Sequence, residues 1–166
     1  MAIGPTQSLL WSEEFVDHHG GQLSEDTWNF DIGDGSSAGL VGWGNNELEY
    51  YTKDSVSILK NLVITAQRVP EDSGLHCYYG PAQWTSGKIH TARKIGFKYG
   101  RVEIKAKMPS GVGTWPALWL LGASLLDGVT WPHCGEVDIL ENTGAHPFQV
   151  QGTIQQTRHL RQPGSQ

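Results

Sequence analysis

The chain has 166 residues, a length compatible with one domain and a sizeable core. Its formal net charge of −5 offers no attraction to nucleic acid or to an anionic membrane. No apolar run approaches the ~18 residues of a membrane-spanning helix, so we expect neither partner. With 21 glycines, 7 tryptophans and only 17 % charged residues, the composition is typical of a turn-rich β protein.

Short segments of alternating or β-branched residues predict β-strands along the chain. In chain order they are NELEYYT (46–52), NLVITAQRV (61–69), SGKIHT (86–91), RVEIKAKMP (101–109), GTWPALWLLG (113–122) and FQVQGTI (148–154). Segments rich in glycine and proline separate them, and no sustained helical period is present. The pattern predicts a single domain built as an antiparallel β-sandwich or barrel.

The segment 113–122 carries two tryptophans at strand spacing. If it is extended, Trp115 and Trp119 share one face, while Leu118 and Leu120 take the other. Exposed indoles suit the C–H faces of pyranose rings, because the apolar surface of the sugar packs against them. Burial in a core is the more common fate of an arbitrary tryptophan pair. The segment alone leaves both interpretations open.

A row of acids follows in CGEVDILEN (134–142). On a helix, Glu136, Asp138 and Glu141 would share no face. On a regular strand, Glu136 and Asp138 share a face, but Glu141 points the other way. One extra residue near Ile139–Leu140, a β-bulge, returns Glu141 to the acidic face, and bulges are frequent beside active sites. We therefore predict a bulged strand that presents three carboxyl groups on one surface.

Paired carboxyl groups of this kind are what glycoside hydrolysis requires. In retaining enzymes the two groups lie ~5–5.5 Å apart, one as nucleophile and one as acid/base. A solvated strand face and a cation site are the competing interpretations, and calcium uses the same oxygen ligands. The two cysteines, Cys77 and Cys134, allow either one disulfide or two free thiols.

Five motifs in order carry a resemblance to a known family. They are WSEEF (11–15), GWGNNELEYYT (42–52), NLVITA (61–66), KYGRVEIKAKMPSGVGTWPALWLLG (98–122) and CGEVDILEN (134–142). Together they resemble glycoside hydrolase family 16, and most of all its laminarinase-type endo-β-1,3-glucanases. The likeness extends to about Thr153.

The resemblance implies an all-β, concanavalin A-like jelly-roll sandwich with a glucan-binding cleft. It implies a retaining double displacement with Glu136 as nucleophile, Glu141 as acid/base and Asp138 as the assisting carboxylate. It also implies sugar contacts, from Trp115, Trp119, Asn46 and Lys88. No cofactor is implied, but Glu14 falls where many members hold a structural calcium. An extracellular monomer acting on a β-glucan polysaccharide or oligosaccharide is the expected setting.

The chain departs from the family pattern at several positions. Lys88 stands where relatives carry arginine, Lys60 where a glycine is usual, and Gln155 where a histidine is common. Relatives also continue with further strands, so we expect residues 1–154 to form a C-terminally truncated family domain and 155–166 a divergent polar tail.

Three functions follow as hypotheses from these observations. The first is an endo-β-1,3-glucanase. The second is a non-catalytic β-glucan-recognition module, which the retention of all three acids disfavours. The third is an inactive truncated fragment.

Overall fold

The computed structural model describes residues 8–16, 20–70 and 72–156. It divides into two compact units, Met1–Ile95 and Gly96–Gln166. The described residues form short β-strands and four short 3-10 helices, without an α-helix. Within this part of the chain no helix is both long and apolar enough to cross a bilayer. The polar tail predicted for 155–166 lies outside the described residues from 157 onward.

The described residues of the first unit form nine strands. They are β1 (Asn29–Asp31), β2 (Glu49–Tyr51), β3 (Val56–Ile58), β4 (Leu62–Ile64), β5 (Gln67–Arg68), β6 (His76–Cys77), β7 (Gly80–Pro81), β8 (Trp84–Ser86) and β9 (Lys88–His90). Antiparallel pairs join β1 to β9, β3 to β4, β5 to β8 and β6 to β7. In contrast to the antiparallel expectation, β2 pairs with β8 in parallel.

A small apolar cluster holds this unit together. Leu23, Val56 and Ile58 are buried at its centre. Phe15, Trp28, Phe30, Leu62 and Ile89 pack against them. The strand faces that carry these side chains therefore point into the core, and the alternate residues point away from it.

Lys60 occupies a special position in the tight connection between β3 and β4. Its φ of 67° lies in the left-handed region, which glycine adopts without steric cost and other residues adopt with strain. This geometry gives a physical reason why the family pattern has glycine there.

In the second unit, residues 96–156 form one three-stranded sheet. Its strands are β10 (Ala117–Leu121), β11 (Glu136–Glu141) and β12 (Gln151–Gln155). They lie in the order β10-β11-β12, with β11 central and both pairings antiparallel. The strand that carries the acid row is therefore flanked on both sides.

Two strand predictions need correction. Residues 101–110 form no strand, and Val102 and Ile104 are 37 % and 50 % exposed. Their alternation is real, but a strand needs a hydrogen-bonding neighbour, and no described strand pairs with this segment. The single strand predicted over 61–69 is instead two, β4 and β5, because β4 pairs with β3 whereas β5 pairs with β8.

Candidate active site

The centre of the candidate site is a bulge in β11. Asp138 pairs with Thr153 and Glu141 with Gln151, so three steps along β11 match two along β12. On the other side, Trp119 pairs with Asp138 and Leu118 with Leu140, which leaves Ile139 without a partner. The predicted bulge at Ile139–Leu140 is therefore confirmed.

The bulge brings the three acids onto one face of the sheet. Glu136 and Glu141 are five steps apart along β11, but their partner positions on β12, Gln155 and Gln151, are four steps apart. Because an even separation keeps side chains on one face, Glu141 returns to the face of Glu136 and Asp138. Asp138, between them, is only 7 % exposed, whereas both glutamates are half-buried.

Two indole N–H groups donate to the outer acids of this row. Trp131 Nε1 donates to Glu136 Oε2 at 2.6 Å, and Trp115 Nε1 donates to Glu141 Oε1 at 3.2 Å. These bonds restrict the rotamers of both carboxyl groups. An indole nitrogen is a donor only, so each carboxyl oxygen is the acceptor.

All three tryptophans around the acids expose ring surface. Trp115, Trp119 and Trp131 are 49 %, 36 % and 53 % exposed. Trp119 lies in β10 opposite Asp138, and Trp115 precedes that strand. The surface interpretation of the pair is therefore the correct one, and the alternative that both are core residues is wrong.

Sequence reasoning missed Trp131. It lies in the turn-rich segment between β10 and β11, where no strand or helix period predicts the direction of a side chain. The only signal in the sequence was its place five residues before Glu136.

The turn after β11 fixes the end of the acid row. The Asn142 side chain is 4 % exposed and donates to the carbonyl oxygens of His146 and Gln149 at 3.3 and 2.6 Å. Its backbone N–H donates to Pro116 O at 3.2 Å. The residue that follows Glu141 is thus tied to both the turn and the segment that enters β10.

Gln155 lies beside the first acid of the row. It occupies the position on β12 that pairs with Glu136, and it is half-buried. The family resemblance predicted a histidine near the cleft here. An amide in its place retains hydrogen-bonding capacity but cannot titrate.

The first unit holds the other two predicted sugar contacts. Asn46 is exposed with a φ of 58°, a conformation that asparagine tolerates better than most residues. Lys88 Nζ lies 3.4 Å from Asp31 Oδ2 and 4.1 Å from the centre of the Trp43 ring. The ammonium group is thus held between a carboxylate and an aromatic face.

Asp31 is the charged partner of this lysine and of His90. Burial alone would raise the pKa of Asp31, but the hydrogen bond from His90 and the charge of Lys88 together hold it below its usual value. His90 Nε2 lies 3.4 Å from Asp31 Oδ1. The carboxylate is therefore ionised at neutral pH and fixes the position of Lys88.

No cation site is assembled by side chains in the described part of the chain. Glu14 is exposed, and residues 8–16, 20–70 and 72–156 contain no group of three or more His, Cys, Asp or Glu side chains placed to hold a metal ion. Cys77 and Cys134 are free thiols in their respective units.

Comparison with known proteins identifies the family. The catalytic-domain family described as "XgeA-like, catalytic GH16 domain" matches residues 75–160, more than half of the chain. The chain therefore belongs to glycoside hydrolase family 16, as its motifs predicted.

Individual relatives agree with this assignment. The chain is 37 % identical over 155 residues to a β-glucanase of Rhodothermus marinus, a match that covers 90 % of this chain and 49 % of that protein. It is 38 % identical over 156 residues to glucan endo-1,3-beta-glucosidase A1 of Niallia circulans, covering 89 % of this chain and 22 % of that protein.

A solved structure gives the same answer for the fold. The laminarinase catalytic domain of Thermotoga maritima superposes with a TM-score of 0.78 at 42 % identity, covering 90 % of this chain and 57 % of that one. The predicted all-β jelly-roll class is confirmed. The chain spans about half the length of the Rhodothermus and Thermotoga relatives and 22 % of the Niallia one.

Proposed function

We propose that this chain is a retaining endo-β-glucanase that hydrolyses β-1,3-glucan of the laminarin type. The observation that carries the proposal is the bulge in β11, which gathers Glu136, Asp138 and Glu141 on one face. A bulge interrupts ladder hydrogen bonds, and its presence in the central strand of the sheet has a purpose if it aims Glu141 at the same substrate as Glu136.

The proposed reaction has two displacement steps. In the first, a carboxylate oxygen of Glu136 attacks the anomeric carbon, while the carboxylic acid of Glu141 protonates the leaving glycosidic oxygen. In the second, Glu141, now a carboxylate, takes a proton from water. The water oxygen then attacks the anomeric carbon and releases Glu136. Two inversions at one carbon leave the anomeric configuration unchanged, and no cofactor is needed.

The neighbours of the acids have supporting roles in this proposal. Asp138, buried between the two glutamates, assists by keeping the proton on the correct side of the pair. Trp131 orients the nucleophile through its 2.6 Å hydrogen bond to Glu136. Trp115 and Trp119 offer exposed indole faces on which pyranose rings can stack.

Asn46 and Lys88 complete the proposed sugar contacts. The exposed Asn46 amide both donates and accepts hydrogen bonds, as hydroxyl recognition requires. Lys88 donates as a compact point charge without the fork of an arginine. Its hold on Asp31 and Trp43 restricts its rotamers, which lowers the entropy lost when sugar binds.

Reducing-sugar release from laminarin tests the proposed function. The chain should release sugar, Glu136→Gln should not, and the products should keep the β configuration when observed at early times by NMR. Glu103→Gln is the matched control, because Glu103 is an exposed glutamate paired only with Arg101. Equal release by Glu136→Gln would remove that residue from the mechanism.

A structural calcium and an extracellular location are also proposed. A structural calcium at Glu14 predicts that chelator lowers the melting temperature of the chain but not of Glu14→Gln. An extracellular location is proposed from the family resemblance, since the polymeric substrate is too large to enter cells intact.

A further inference from the structure

We infer that Trp84 is an additional sugar-binding platform, which holds a pyranose ring of the glucan beyond the sugar contacts made by Lys88. The inference rests on the proposed function, because the ligand is the same polysaccharide chain. Its evidence is separate and comes from the strand register, the exposure and the charge environment of Trp84 in the first unit.

The strand register places Trp84 and Lys88 on one face. Strands β8 and β9 follow each other with only Gly87 between them, and residues an even number of steps apart in an extended chain share a face. Tyr51 supports this placement. It pairs with Ser86, which lies midway between Trp84 and Lys88, and its ring centre is 5.8 Å from Lys88 Nζ.

Gly87, between the two strands, lies against the core. A Cβ added there would lie 2.4 Å from Val56 Cγ2, so the backbone passes directly over the core at this point. Trp84 and Lys88 are therefore separated by roughly 13 Å along the face, from the rise of an extended chain. That span exceeds a single sugar ring, so the two residues would hold different rings of one chain.

Trp84 is available to a ligand. It is 42 % exposed, while its neighbour Thr85 is 4 % exposed on the opposite, inward face. The other exposed indole of this unit, Trp11, is 43 % exposed but has a packing partner in Trp28, at 6.2 Å between ring centres. Trp28 packs on the core cluster. Unlike Trp11, Trp84 has no aromatic packing partner among the described residues.

The charges beside Trp84 fit a carbohydrate. Arg68 occupies the paired position on β5, and its guanidinium carbon lies 5.7 Å from the centre of the Trp84 ring. On the other side, Glu49 occupies the paired position on β2. An indole flanked by a multidentate donor and a carboxylate acceptor offers a stacking surface with hydrogen bonds at its edge, which is how a pyranose is recognised.

The test compares long and short substrates. Trp84→Ala should raise the KM for laminarin by roughly 3- to 10-fold, the loss expected for one ring-stacking contact. The kcat should not change, because Trp84 lies outside the reacting groups. The KM for a laminari-trisaccharide that is too short to span both positions should also stay the same, and Trp84→Phe should retain most of the affinity.

Trp11→Ala is the matched control, since it removes an equally exposed indole that packs against Trp28. Thermal unfolding of each variant reports whether it folds. An unchanged laminarin KM in Trp84→Ala, or an equal rise for the trisaccharide, overturns the inference while leaving the proposed hydrolysis intact.

A chain that releases no sugar would contradict the proposed function and not the platform. The same variants are then compared by their retardation in native gels containing laminarin. Weaker retardation of Trp84→Ala than of Trp11→Ala supports the platform. Equal retardation of the two, or no retardation of the parent chain, overturns it.

Discussion

Each of the outer acids has one indole donor, and the two bonds differ in length. Trp131 donates to Glu136 at 2.6 Å and Trp115 to Glu141 at 3.2 Å. A nucleophile must keep one oxygen aimed at the anomeric carbon throughout the reaction, so a short bond on its other oxygen has a direct use. An acid/base group must exchange a proton in each step, which a longer and weaker bond permits.

This difference predicts unequal effects of removing the two donors. Trp131→Phe keeps an aromatic ring but deletes the N–H, and should lower kcat by about tenfold, the loss of roughly 1.5 kcal/mol for a hydrogen bond to a charged group. Trp115→Phe should have a smaller effect on kcat. Initial rates on laminarin at saturating substrate measure both, and a Trp115→Phe loss larger than that of Trp131→Phe would contradict the assignment.

Residues in strands were the ones that sequence reasoning placed correctly. Alternation put Trp115 and Trp119 on one face of their segment, and parity along the acid row predicted a bulge near Ile139–Leu140, where the structure has it. The sequence did not predict the role of Trp131, because turn geometry depends on local backbone torsions and on packing, and a periodic pattern encodes neither. Lys60 was noticed as a departure from the family, but its positive φ is visible only in the backbone.

At the scale of elements, the bulge predicts how the site responds to deletions within β11. Deleting Leu140 would turn Glu141 into the fourth residue after Glu136 in a regular strand. That position still pairs with Gln151 and still faces the substrate side. We therefore expect the single deletion to keep measurable hydrolysis of laminarin.

The matched control is deletion of both Ile139 and Leu140, which turns Glu141, the proposed acid/base, to the opposite face. That variant should lose as much activity as Glu141→Gln, roughly 100- to 10,000-fold for a lost general acid. Circular dichroism and thermal unfolding would establish that both variants fold. If the single-deletion variant folds but is inactive, the parity argument is contradicted.

The loop that carries Trp43 and Asn46 is anchored by Asp34. This buried carboxylate accepts hydrogen bonds from Ser36 N at 3.0 Å, Ser36 Oγ at 2.9 Å and Tyr78 N at 2.6 Å. Burial alone would raise the pKa of Asp34, but these bonds hold it below its usual value.

The sign of this shift fixes a pH dependence of stability. The pKa of Asp34 is lower in the folded chain than in the unfolded chain. Its charge therefore contributes fully to the free energy of unfolding above about pH 4, and this contribution is lost as the pH falls through the folded pKa. Asp34→Asn should therefore lower the free energy of unfolding at neutral pH by about 1–2 kcal/mol. The melting temperature should fall with it. The difference from the parent should shrink below about pH 4.

Melting temperatures measured from neutral to acidic pH check this expectation. Asp72→Asn is the control, because Asp72 is an exposed aspartate of the same unit. A melting-temperature difference between Asp34→Asn and the parent that is the same at every pH would show that Asp34 acts through shape and not through charge.

Among the elements, β11 was predicted together with its bulge, whereas β8, which also has neighbours on both sides, was not predicted. Strand β11 has partners on both sides, and its pattern matches the sheet that forms. Residues 101–108 have an equally regular alternation, yet no described strand pairs with them. Alternation reports a preference for the pleated conformation, but the ladder of hydrogen bonds that stabilises a strand comes from another segment.

For the molecule as a whole, burial of apolar side chains is limited. The buried hydrophobic residues of the described chain are Leu23, Tyr51, Val56, Ile58, Cys77 and Ala82, and no large side chain is fully buried. Large apolar side chains remain exposed in both units, among them Leu9 at 81 %, Phe148 at 99 % and Ile154 at 70 %. The family resemblance implies a monomer, but surface of this kind favours association.

We therefore predict that the chain self-associates and binds hydrophobic dye. Its weight-average mass in sedimentation equilibrium should rise with concentration, and anilinonaphthalene sulfonate should fluoresce in its presence without denaturant, because both report apolar surface that water contacts unfavourably. Ile154→Thr reduces the exposed apolar surface on β12 and keeps a β-branched residue, so it should weaken both signals. Leu23→Thr, a change in the core, is the contrasting control and should strengthen the dye signal. A strictly monomeric chain that leaves the dye dark would show that these side chains are covered in solution, and the monomer implied by the family would then stand.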